Sequence, residues 1–431
     1  MNEKEIQRLL SEMDTIEVPK DKLAKARQAG YSKYKKRDNR NATIYKQLAI
    51  VTILIIVFVT SIRISPAFAQ SVAKIPGFAP LVELITADKG VKDIVENEYY
   101  EELGIVQTKN NLTLTILGTI ADESGMIIFY QLEAPYDISK LDTTEFDLTQ
   151  NGENLQASSM YSWYAEEPTN IIKDKFEVVA SEVIDYSNPN FELNVTFDDE
   201  EDTSFNVPFT LSKPIQQSKI IEQNKVVVVD GQKIIIEFIK ISPLRAEIKL
   251  SVDEENTMQI LNIDRIKLLD ENGEEWGRPS NGLISFGGFR DESISLFIQS
   301  NYFRKPEKLT LILDEIEALP KGEDYVVVDF LKQKVLKNPL ENEIDIKVGG
   351  FNWIDVTYTD HSEMKGQLFS KVLDANGNIY YSNSHSISTI EQRQEATYSF
   401  DLKDALNPVK LYFNSYPSFL NGSAEIEIPI Q

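Results

Sequence analysis

The chain has 431 residues, a formal net charge of −24, two histidines and no cysteine. Lack of cysteine removes thiol nucleophiles, disulfides and cysteine-ligated zinc sites. With His361 and His385 alone, a Ser-His-Asp triad or metal-hydrolase site is hard to assemble. Carboxylate chemistry is the one enzymatic class left open. No catalytic residue, metal or cofactor is expected.

The first predicted element is a short helix in NEKEIQRLLSEMD. Ile6, Leu9, Leu10 and Met13 fall at i, i+3, i+4 and i+7, one face of a helix. Thirteen residues cannot bury such a stripe alone. It packs on the following segment, lies on a membrane, or docks on a partner.

The run from Leu48 to Ile62 carries no charge, and eleven of its fifteen residues are Leu, Ile, Val or Phe. These contribute roughly −3 to −7 kcal/mol to insertion in a bilayer. Lys46 and Arg63 stand at the two ends, where long cationic side chains reach the headgroups. Residues 47–64 are therefore expected to be a transmembrane helix. Residues 1–47 hold twelve Lys or Arg against seven Asp or Glu, whereas beyond Arg63 there are 31 against 61. The positive-inside rule then makes residues 1–46 a cytoplasmic arm and everything after 64 extracytoplasmic, in the cell membrane of a bacterium. The acidic outer part argues against binding nucleic acid. Ala67-Phe68-Ala69 fits signal-peptidase cleavage, but 46 residues before the apolar run are too many for a signal peptide.

Residues 65–104 read as a helical stalk broken at Pro76-Gly77 and expected to pack on the first outer module. From about Gly104 the chain reads as strands. Three strand pairs open similar blocks: NLTLTIL with MIIFYQLE, KIIIEFIKI with RAEIKLSV, and EIDIKV with WIDVTY. Each is followed by an Asn-Gly turn (Asn151-Gly152, Asn272-Gly273, Asn376-Gly377) expected to form a type I′ hairpin. Next comes a proline just before an alternating strand, at Pro189, Pro306 and Pro408. The expected fold is mainly β: tandem immunoglobulin-like β-sandwich modules at 105–214, 217–334 and 338–431, with Ser212–Gln217 and Leu336–Asn342 as linkers. Asp270 and Asp374 begin calcium-loop-like turns, but without the register of an EF-hand. The acidic Phe197–Ser204 stretch is expected to be a solvated loop.

IEVPKDKLAKARQAG (16–30), the apolar run, SPAFAQSVAKIPGFAPLVELI (65–85) and LTLTILGTIADESGMIIFYQLE (112–133) follow one another in this order. Over residues 1–135 the chain resembles membrane-anchored bacterial proteins with an uncharacterised extracytoplasmic domain shared with some anti-sigma factors. GQKIIIEFIKISPLRAEIKL (231–250) is similar to a second uncharacterised β domain that often follows. Residues after 338 resemble nothing specific. The resemblance implies an arm that holds a sigma factor, with Ile6, Leu9, Leu10 and Met13 as its contact face, and outer modules that bind an unidentified ligand. The arm lacks the His and Cys of the zinc-binding anti-sigma class. The alternatives are a structural or adhesive envelope protein and a carboxylate hydrolase.

Overall fold

The computed structural model describes residues 88–429, apart from 162–166, 280–282, 351, 359–366 and 391–392, together with a few positions between 22 and 28. The arm's Ile6, Leu9, Leu10 and Met13, the 47–64 run with Lys46 and Arg63, the 67–69 cleavage site and His361 lie outside the described residues. Among those described, no helix is long and apolar enough to cross a membrane.

Helix α1 (Lys89–Glu96) opens with Asp88 as N-cap, whose carboxylate accepts from the N–H groups of Gly90 (2.8 Å) and Val91 (3.3 Å). Nine strands follow: β1 (Glu101–Lys109), β2 (Leu112–Asp122), β3 (Gly125–Glu133), β4 (Thr143–Gln150), β5 (Glu153–Asn154), β6 (Ala157–Met160), β7 (Ile171–Ala180), β8 (Asn190–Phe197) and β9 (Ser204–Thr210). They form sheets β1-β2-β3-β7-β6 and β5-β4-β8-β9. Strict alternation decides which faces meet. Phe191, Leu193, Val195 and Phe197 of β8 point inward, as do Phe205, Val207 and Phe209 of β9. They share one core with Leu114, Ile116, Tyr130 and Phe176 of the opposite sheet.

The second sandwich repeats this plan. Its strands are β10 (Lys219–Val229), β11 (Gln232–Ile241), β12 (Arg245–Val252), β13 (Met258–Asp270), β14 (Glu275–Trp276), β15 (Ile284–Gly287), β16 (Ile294–Gln299) and β17 (Leu309–Pro320). One sheet runs β10-β11-β12-β16-β15. Its register matches that of the first sandwich, 120 positions further along the chain. The bulge between Glu102 and Ile105 recurs between Glu222 and Lys225, that between Ile116 and Gly118 recurs between Ile236 and Phe238, and Gly125 opposite Val179 becomes Arg245 opposite Gln299.

The third sandwich contains β18 (Tyr325–Asp329), β19 (Lys334–Lys337), β20 (Ile344–Val348), β21 (Trp353–Tyr358), β22 (Phe369–Leu373), β23 (Ile379–Ile390), β24 (Arg393–Phe400) and β25 (Val409–Phe413), in the order β19-β18-β25-β22-β23-β24-β21-β20. Strand β23 joins two layers. Ile379–Tyr381 pair with β22 and Ser382–Ile390 with β24, with a break in register between Ser382 and Ser384. The layers enclose Val326, Phe369, Leu411 and Phe413 from one side and Ile354, Val356, Tyr398 and Phe400 from the other.

The last strand, β26 (Ala424–Ile428), lies beside β17, not β25, and completes the second sandwich as β14-β13-β17-β26. Leu309 is opposite Ile428 and Leu313 opposite Ala424. In the first sandwich β8 turns directly into its neighbour β9. Here β17 is followed by β18, which pairs with β25, and β25 is followed by β26, which pairs with β17. The second and third sandwiches have thus exchanged their closing strands. The boundary read between 334 and 338 moves accordingly: β18 and β19 belong to the third sheet, Leu336 and Lys337 are strand and not linker, and 424–428 belong to the second core.

Helix α1 docks on the second sandwich, where the sequence had pointed to the first. Asp93 receives two bonds from Arg304, from Nε (2.7 Å) and Nη2 (2.6 Å), and Gly90 passes so close to Ser300 that a Cβ there would meet its main-chain nitrogen at 3.2 Å. The helix also buries Val91, Ile94 and Val95, so apolar burial and the Asp93–Arg304 pair act together.

Candidate functional site

Several charged groups singled out in the sequence are consumed by the fold. Asp270 accepts from the main-chain N–H groups of Asn272 (2.9 Å) and Glu274 (2.7 Å), and Asp374 from those of Asn376 and Asn378 (2.8 Å each). These two turns place only glycine, Gly273 and Gly377, at positive φ, so they are Asp-anchored turns and not type I′. Asn151-Gly152, with both φ positive, is the hairpin turn predicted. In the acidic loop, Asp199 caps Thr203 through its N–H and hydroxyl (2.6 Å each). Among the described residues no group of His, Asp and Glu is placed to hold a metal. His385 is exposed on β23, its ring stacked on Tyr398 with centroids 6.0 Å apart.

Buried charge is concentrated at the joint between the first two sandwiches. Arg245 Nη2 lies 2.5 Å from Glu177 Oε2, both side chains are buried, and Lys175 also pairs with Glu177. Burial pushes the Glu177 carboxyl up, but the adjacent Arg245 and Lys175 outweigh it and hold the group down at about 2. Asp122 accepts from Leu244 N–H across the joint (2.6 Å) and from the Ser124 hydroxyl (2.6 Å). Val179, Ile284 and Phe297 close the joint with apolar contact. This constellation is fully satisfied and holds two bodies together.

An open site lies at one end of the second sandwich. A cavity of about 620 Å³ is bounded by the start of β10, the end of β11, the 301–306 loop, Leu309 and Pro429. Ile221, Ile241, Pro306 and Leu309 form apolar walls, Lys219, Arg304 and Lys305 bring positive charge, and Glu222 adds a carboxylate. Lys219 Nζ donates to Tyr302 O (2.9 Å) and sits 4.2 Å over the Tyr302 ring. Burial, and then the charge of Lys305, lower its pKa. Among the described residues no carboxylate pairs with either lysine. Asn301 lines the same cavity at 3% exposure, and its Oδ1 has no hydrogen-bond partner. Volume, apolar walls and few convergent polar groups are those of a ligand pocket.

Sequence reading did not single out Lys219, Asn301 or Lys305. A signal was present: Lys219 occupies the register position of Tyr99, and Ile221 that of Glu101, a reversal of chemistry between two copies of one pattern.

Residues 39–134 match a domain of unknown function (DUF4179), and residues 218–348 match a family of unknown function (DUF5643). These are the two uncharacterised domains that the sequence resembles. The second match runs across the crossover from β17 to β18 and stops at the end of β20. No curated protein matches the chain. Among solved structures, the conserved domain protein from Bacillus anthracis overlays with 12% identity and a TM-score of 0.38, covering 78% of this chain and 92% of that one. Residues 217–571 of S. aureus TarS overlay with 8% identity and a TM-score of 0.16, covering 78% and 76%. Both overlays are too slight to carry an argument.

Proposed function

We propose that this chain is a single-pass membrane regulator of the anti-sigma-factor kind, in which outer immunoglobulin-like sandwiches bind a signal and the cytoplasmic arm holds a sigma factor. The observation that carries the reading is the extent of the 39–134 match. It begins in the basic flank, takes in the apolar run and ends just after β3. The apolar run and the first three strands of the first sandwich therefore fall within one matched domain, as expected where an outer event must be passed inward. The charge asymmetry about residues 47–64 supports the same orientation. The arm's Ile6, Leu9, Leu10 and Met13 supply an apolar helix face suited to a groove on a partner. Lys46 and Arg63 mark the ends of the span.

Replacing Leu9 and Leu10 by Ser tests this directly. Each loss removes about 1–3 kcal/mol of contact, so partner affinity falls more than tenfold. Transcription of the sigma factor's regulon rises while the level of anchored protein is unchanged. Unaltered transcription genome-wide, with retention on cell-wall polymer, would replace this reading by that of a structural or adhesive envelope protein.

A further inference from the structure

In the chain, helix α1 stands between the apolar run and the first sandwich, yet the second sandwich holds it. Lys89 Nζ donates to Glu275 O (3.0 Å) and lies 3.5 Å from Glu274, Gly90 packs on Ser300, and Arg304 reaches Asp93. Past the helix the chain is fixed to the first sandwich. The Tyr99 hydroxyl donates to Ala121 O (2.7 Å) and accepts from the Gln216 N–H (3.1 Å), and Glu101 accepts from the Ser212 N–H (2.8 Å). Eight residues make a marginal helix by themselves, so α1 depends on its docking. That docking has an asymmetric centre. Asp93 is 3% exposed, whereas the Arg304 side chain is 44% exposed and also lines the cavity. Burial pushes the Asp93 carboxyl up and Glu274 adds to this, while Arg304, and more weakly Lys92, oppose it. The carboxylate is sealed in, and its chief cation is reached from outside.

We propose that α1 is a detachable strap, docked on the second sandwich in one signalling state and released in the other, with the Asp93–Arg304 pair as its clasp. Docked, the outer body takes hold of the chain at Asp88. Released, it takes hold at Tyr99, and residues 88–98 join the tether, adding up to about 36 Å when extended. The clasp makes the change two-valued. An aspartate that loses its main cation cannot stay buried, so α1 leaves as a unit and does not loosen by degrees. The inference rests on the reading that this chain passes an outer event inward, and it names the element that passes it.

Amide hydrogen exchange on the full-length chain in detergent micelles, read by mass spectrometry, tests the clasp. The Lys92 and Asn97 N–H groups, bonded to Asp88 O (2.9 Å) and Asp93 O (3.1 Å), report on α1. Arg304→Gln should speed their exchange at least about tenfold and leave β2 and β11 unchanged. Adding Asp93→Asn to Arg304→Gln should recover most of the protection, because no charge is then buried; a merely disrupted surface would not be rescued. In cells, release imitates receipt of the signal, so Arg304→Gln should raise transcription of the regulon and the double variant should return it. Unchanged exchange in Arg304→Gln, exchange that rises in the strands as well, or lack of rescue overturns the clasp. Faster exchange with unchanged or lowered transcription, while Leu9→Ser with Leu10→Ser still raises it, overturns the strap's role and leaves the regulator reading standing. No transcriptional effect from either set removes the regulator reading, and the signalling role of α1 with it.

Discussion

Arg245 of the second sandwich and Glu177 of the first meet at 2.5 Å between Nη2 and Oε2, sealed from solvent at the joint of the two bodies. Removing Arg245 leaves Glu177 buried with Lys175 as its one remaining cation. Arg245→Met is therefore expected to destabilise the chain by less than the roughly 3–5 kcal/mol that an uncompensated buried charge costs, measured by denaturant unfolding.

The same pair predicts an acid sensitivity. Glu177 is held at about 2 in the folded chain against an ordinary value of 4.5. The unfolded chain therefore takes up the proton first as pH falls. The contribution of Glu177, roughly 3 kcal/mol, is complete above pH 4.5 and lost on descending toward pH 2. Asp122, raised by burial, works in the opposite direction over its own titration. Comparison with Glu177→Gln, which leaves Asp122 in place, isolates the Glu177 part. The melting temperature of the unaltered chain should fall more steeply between pH 4.5 and 2 than that of Glu177→Gln. Parallel curves would show that the joint does not depend on this charge.

The strand exchange predicts how fragments behave. Residues 217–334 contain β18 but lack β26, and 338–431 contain β26 but lack β18. Each fragment holds the closing strand of the other. Ile426 and Ile428 are each 1% exposed, and burying two such side chains is worth about 3–6 kcal/mol, a large share of the stability of one sandwich. Neither fragment should melt cooperatively alone, and an equimolar mixture should recover a cooperative transition by circular dichroism. Two separately folded fragments would mean that β18 can close on β17 as β9 closes on β8.

Gly125 should tolerate no side chain. Its φ is +157°, and a Cβ there would lie 2.0 Å from the Val178 carbonyl oxygen, a main-chain atom of the paired strand β7. Gly125→Ala should cost well over about 1 kcal/mol. Gly152 also has positive φ but meets nothing within 4 Å, so Gly152→Ala should cost much less. Urea unfolding of the two variants side by side checks the ranking.

Much of the fold was legible in local pattern. The prolines at 189, 306 and 408 each precede a strand, β8, β17 and β25, and the three turn signals each follow one, β4, β13 and β22. These six strands are the same two adjacent positions in three sandwiches. The turn type at Asn272 and Asn376 was less legible, because a preceding aspartate anchors the turn from outside the Asn-Gly pair. Of the cavity, only the comparison of β10 with β1 brings Lys219 into view, and the other walls come from Asn301–Leu309 and Pro429, distant in sequence.

By itself, then, the sequence determined which segments are strands, which of their faces are buried, and where charge changes sign about residues 47–64. Those properties follow from side-chain alternation, turn chemistry and composition, all of them local. Which strand closes each sandwich was decided only in the tertiary structure. β18 and β26 both alternate, and β17 presents the same main-chain groups to either. The choice depends on how the Ile426 and Ile428 side chains fill the second core and those of Val326 and Val328 the third. Packing across whole sheets settles such a choice, and no short window of sequence contains it.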